Sequence, residues 1–165
     1  MNTTKRLAFC FGVLPVVLAC MPAHTQSKAT ARLHCHTVGS APPEPLGDRE
    51  GHSVSVSQFA CRVEGGPTDG GVLTGTTIVE WDKGNGIILS GSGVTRKPGA
   101  TTAFQHSEGK VALILSEGKV VGSTGSGRGR MTMATGTASS LAGKTYSYSA
   151  KTVGPGQSVV EVTYD

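Results

Sequence analysis

The stretch Ser123–Met133 reads STGSGRGRMTM, with glycine at 125, 127 and 129 and methionine at 131 and 133. Glycines so close together suit either a loop that cradles phosphate or a strand with one bare face. A dinucleotide-binding loop needs a strand before it and a helix after it, and the RMTMATG that follows is not helical. On a strand, alternate residues share a face, so the glycines and methionines form one stripe while Ser126, Arg128, Arg130 and Thr132 form the other. Glycine weakens a strand interior and marks sharp bending or close approach. A small barrel supplies both, because its strands coil and its interior tapers. The stripe is therefore expected to face inward and the arginines outward.

The flanking sequence agrees. HSVSVSQFACRV, VLTGTTIVEWD, IILSGSGV, TTAFQH, KVALILS, KTYSYSAKT and QSVVEVTYD are β-rich runs bounded by Gly or Pro. Asn85-Gly86 is a hairpin signal. The tetrad SEGK at 107–110 and 116–119 reads as two turns around a short apolar strand. In the first run Val54 and Val56 have one parity and Phe59, Cys61 and Val63 the other, so a β-bulge is expected near Ser57 or Gln58. No apolar 3.6-residue period persists, and TASSLAG holds at most one helical turn. The expected fold class is all-β: a single small antiparallel barrel of about eight strands over residues 51–165, preceded by an irregular arm at 24–50 with a short strand around Leu33–Val38.

Lys5, Arg6 and the apolar run LAFCFGVLPVVLAC read as an export signal. Two cleavage readings compete: removal of residues 1–23, or a lipoprotein signal of 1–19 that leaves Cys20 lipidated at the new N-terminus. Of the formal charge of +4, Lys5 and Arg6 contribute two, so the mature domain is only mildly basic. It has no basic run interleaved with aromatics, which argues against a nucleic-acid partner. Contact with a membrane is expected only through a lipid anchor at Cys20. A periplasmic or secreted location, or lipid anchoring to the envelope, suits Cys35 and Cys61, whose simplest fate in an oxidising compartment is one disulfide.

The densest polar cluster, PLGDREGH, places Asp48, Arg49 and His52 before a strand, where they would give polarity to one barrel mouth. Trp81, Met131, Met133, Tyr146 and Tyr148 would supply apolar surface for a ligand. LHCHT sets His34 and His36 on one face and Cys35 on the other, which disfavours a shared metal. AGKT at 142–145 lacks the first glycine and the helix of a P-loop. No metal and no cofactor is expected.

The segments GDREGHSVSVSQFACRV and GSGRGRMTMATGTASSLAGKTYSYSA resemble a family of exported bacterial β-barrel proteins of unassigned activity. The residues that carry the likeness are Gly51, His52 and Cys61, then Gly127, Gly129, Thr135, Gly136, Leu141 and Gly143. The architecture is similar to the barrel of allene oxide cyclases and dirigent proteins, and the resemblance implies a central cavity without carrying over a catalytic set. Three functions are expected in order: a non-enzymatic binder of a small apolar or aromatic ligand; a cyclase- or isomerase-type enzyme in which His52 or Asp48 moves a proton; and a structural or interaction module of the envelope.

Overall fold

In the computed structural model, which describes residues 28–165, the glycine stretch is the middle of a long strand. The segment expected to be an export signal, and Cys20, lie outside the described residues. The strands are β1 (Thr30–Ser40), β2 (Glu44–Pro45), β3 (His52–Glu64), β4 (Val72–Asp82), β5 (Asn85–Lys97), β6 (Ala100–Ser116), β7 (Lys119–Gly136), β8 (Thr145–Gly154) and β9 (Gln157–Tyr164). A single 3-10 turn, Ser139–Leu141, separates β7 from β8. All neighbours are antiparallel, and β1 pairs with both β9 and β3, which closes an eight-stranded barrel. The short β2 extends the sheet along β3 past the end of β1. Closure removes the unpaired edges that an open sheet would present.

Three expectations need correction in detail. The strand expected within the N-terminal arm is an eleven-residue stave that completes the barrel, so the wall starts at Thr30 rather than at residue 51. The first SEGK is not a turn: β6 runs unbroken through it for 17 residues, and Ser107 is merely the extra residue of a bulge against β7. Only Ser116–Lys119 turns, with Glu117 and Gly118 at positive φ. Finally, β3 carries no bulge, since its register with β4 is continuous from His52 to Arg62. The extra residue sits across the ladder at Val38 of β1. Val56 therefore stays on the outer wall, and Ser57 joins Phe59 and Cys61 inside.

Cys35 and Cys61 are direct cross-strand partners and form a disulfide that staples the closing seam. One end of the barrel is filled: Leu141 of the 3-10 turn and Ala138 just before it are buried with Ala31, Val63 and Tyr164. At the other end lie the hairpin turns at 82–85, 116–119 and 154–157, the end of β1 and the start of β3.

Candidate functional site

Gly127 and Gly129 each pair on both sides: Gly129 lies between His106 of β6 and Tyr146 of β8, and Gly127 between Gly109 and Tyr148. Strands two apart are nearly 10 Å apart, too far for ordinary side chains to meet over an occupied middle strand. With no side chain on Gly129, the His106 and Tyr146 side chains meet over it, and Tyr146 Oη lies 3.0 Å from His106 Nδ1. A Cβ on Gly129 would collide with the Tyr146 ring, and one on Gly127 would lie 2.7 Å from the Tyr148 hydroxyl. The bare stripe is thus the seat of an aromatic layer. Arg128 and Arg130 point outward and are exposed.

That layer lines a cavity of about 260 Å³ inside the barrel. Phe104 and His106 come from β6, Tyr146 and Tyr148 from β8, and Tyr164 from β9. The rings meet edge-on or tilted: Phe104 is 5.4 Å from His106, His106 is 4.7 Å from Tyr148, and Tyr146 is 6.4 Å from Tyr164. Such offset contacts are the favourable ones for aromatic pairs. Met131, Leu33, Phe59 and Val162 complete the apolar wall. Exposed His36, Thr37 and Lys151 border the same cavity, so it opens at the end opposite the Leu141 plug.

Burial among rings lowers the pKa of His106 to about 4, because an imidazolium there would lose its hydration. Burial likewise raises Tyr148 to about 12 and pushes Tyr146 above its ordinary value. The pair is therefore a neutral imidazole and a neutral phenol. An O–H donated to Nδ1 leaves the imidazole N–H on Nε2. The Tyr148 hydroxyl is buried without a hydrogen-bond partner among the described residues, wedged where Gly109 and Gly127 lack side chains.

The expected site residues divide. Met131, Tyr146 and Tyr148 line the cavity. Met133 does not: Thr132 is an extra residue in β7 opposite Ala103–Phe104, so the parity flips. Met131 is 4% exposed and Met133 42%. Trp81 lies beside Gly86, against which its ring packs, and its Nε1 donates to Ser55 Oγ at 2.8 Å; it lines a separate depression rather than the cavity.

Asp48, Arg49 and His52 do come together, but on the outer wall. His52 is only 7% exposed, and its Nδ1 lies 2.5 Å from Asp48 while Nε2 lies 2.8 Å from Glu80. Arg49 bridges Asp48 and Asp82 at 2.7 and 2.9 Å. The hydrogen bond to Asp48, then that to Glu80, raise the His52 pKa, and the same bond lowers that of Asp48. This is a clasp of charges that holds the segment before β3 against β4. The residues that the sequence reading left out are Phe104, His106 and Tyr164. Phe104 and His106 share a parity in TTAFQH, which was the available signal, and the false turn at the first SEGK hid the strand's continuation.

Among the described residues, no three His, Cys, Asp or Glu side chains are grouped to hold a metal ion. No family model matches the chain, and no curated protein or solved structure is similar to it at a significant level.

Proposed function

We propose that this protein is an exported, non-enzymatic barrel that binds one small apolar or aromatic molecule in its interior. The observation that carries the reading is a cavity of about 260 Å³, open at one end and walled by aromatic and aliphatic side chains. Its volume lies just below the ~300–1,000 Å³ of typical small-molecule sites, so the ligand is small and compact. A neutral imidazole and neutral phenols add hydrogen-bonding groups without the penalty of a buried charge. The disulfide at the closing seam supports an oxidising compartment.

A second reading has one specific observation in its favour. His106, neutral and hydrogen-bonded to Tyr146 inside the cavity, is the kind of group that moves a proton in a cyclase- or isomerase-type enzyme. Asp48 and His52, on the outer wall, have no access to such a substrate.

Native mass spectrometry of protein purified from its own envelope tests the binding reading, with 1-naphthol as an added probe. A bound small molecule, or a 1:1 naphthol adduct, is expected for the natural sequence and lost in Ala150→Leu, which narrows the cavity where Ala150 lines it. An adduct unchanged by that substitution would place the ligand elsewhere and sink the proposal. Turnover of a ligand that stops in His106→Phe would favour the enzyme.

A further inference from the structure

The open rim has two unlike halves. Over β3 and β4 it carries Asp48, Arg49, Glu50, Asp82 and Lys83, a solvated charged arc in which Leu46 is the exposed large apolar side chain. Over β1, β8, β7 and β6, which with β9 are consecutive around the barrel, it carries Val38, Val153, Val121, Val120 and Leu115. Each of these five is more than half exposed.

This crescent is built by the backbone. Val38, Val121 and Val153 are each the extra residue at a register shift: between Thr37 and Gly39 in β1, opposite Ile114–Leu115 in β7, and between Thr152 and Gly154 in β8. Bulges at barrel rims re-aim side chains, and here three of them turn a valine outward around one opening. The β6–β7 hairpin also outruns its neighbours. Pairing with β5 reaches only Ala112, and pairing with β8 begins at Thr124, so the segment between is a two-stranded ribbon projecting past the wall. Such a ribbon is marginal in water, yet this one ends in Leu115, Val120 and Val121. Ser123 N–H donates to Thr152 Oγ1 at 2.9 Å, which ties its base to the β8–β9 hairpin beside the cavity mouth.

We infer that this end of the barrel docks on a lipid surface, with the valine and leucine tips in the interface and the cavity mouth facing it. Separate projecting tips enter a fluid interface but would leave gaps against a rigid protein face. The crescent is the half of the rim that suits an anionic headgroup layer: the ribbon tip (114–122) and the β8–β9 turn (151–157) carry Lys119 and Lys151 against Glu117, whereas the opposite arc carries Asp48, Glu50 and Asp82 against Arg49 and Lys83. The docking rests on the binding reading only for its cargo, an apolar molecule taken from or given to the lipid.

Co-sedimentation with vesicles of equal parts phosphatidylcholine and phosphatidylglycerol tests it. Every protein carries Cys20→Ser, so that no acyl chain at that position contributes. The bound fraction is expected to fall roughly tenfold or more when Leu115, Val120 and Val121 are all changed to Ser. Val72→Ser, an exposed apolar residue at the closed end, should leave it unchanged. Failure of the parent protein to sediment, retention by the triple variant, or equal loss in Val72→Ser overturns the inference. So does light scattering that finds a dimer which the triple variant converts to monomer, because the crescent is then an interface between copies. Ala150→Leu separates the two readings: it should lose naphthol and keep vesicle binding.

Discussion

His52 and His106 are both withdrawn from solvent on strands of one barrel, and their pKa values are shifted in opposite directions. His52 lies outside the wall between two carboxylates, and both ring nitrogens are engaged, which holds its pKa above the ordinary value. His106 lies inside among Phe104, Tyr146 and Tyr148, with a phenol as its partner, and desolvation holds its pKa down to about 4. Burial alone does not set the protonation of an imidazole; what replaces the lost water does. Outside, hydrogen bonds to carboxylates favour the charged form and fasten a loop to the wall. Inside, the neutral form makes a wall that an apolar ligand can touch.

The inner region breaks most readily where the aromatic layer rests on bare backbone. Gly129→Ala is expected to cost about 3 kcal/mol or more, because its Cβ would collide with Tyr146 and with the Gln105 carbonyl. Gly125→Ala, on the same face, would meet nothing closer than the Lys110 carbonyl at 3.3 Å and should stay within about 1 kcal/mol. Urea midpoints at constant m-value measure both. Equal costs would mean that Tyr146 and His106 are not packed across the stripe.

The next effect is in pH. The His106 pKa falls on folding from 6.5 to about 4, so the unfolded chain binds the extra proton first. Its contribution is complete above pH ~6.5 and is lost as pH falls toward ~4, at a cost approaching roughly 3 kcal/mol. His106→Phe keeps a ring over Gly91 and should remove that part of the acid limb. An acid limb of the same slope in the variant would assign the loss to other groups.

These regions were unequally legible in the sequence. The period-two stripe at 125–131, the β-branched runs and the turn residues made an all-β barrel readable, because alternation and sheet burial leave the same trace. Cys35–Cys61 followed from there being two cysteines after the run read as an export signal. Bulges were the failure. A single extra residue at Val38, Ser107 or Thr132 leaves no composition signal, yet it inverts every side chain beyond it. That is why Met133 faces outward although it shares the parity of Met131; Val54 and Val56 stay on the outer wall for the opposite reason, because β3 itself carries no bulge. Asp48, Arg49 and His52 were legible as a cluster but not as an outer one. Which face a cluster occupies depends on register with β4, through pairs such as His52↔Asp82 and Val54↔Glu80, and local sequence does not encode it.

The smallest expected effect belongs to the outer clasp, where half-exposed carboxylates are screened by solvent and salt. Its pH window runs opposite to that of His106. Because the folded pKa of His52 is raised, its contribution is complete below pH ~6.5 and is lost as pH climbs through the folded value. Because that of Asp48 is lowered, its contribution is present above pH ~3.8 and is lost as pH falls through the folded value. Between those limits His52 and Asp48 contribute in full, while His106 increasingly opposes folding as pH falls. In the His106→Phe background, stability should therefore be flat from mildly acidic pH up to about 6.5 and decline above it. Adding His52→Gln should flatten that decline, and raised salt should mimic it. Proton NMR titration of the two imidazoles gives the direct reading, with midpoints on opposite sides of 6.5. If His52 titrates at or below 6.5, its two carboxylate contacts do not hold in solution, and the contrast between inner and outer histidines fails.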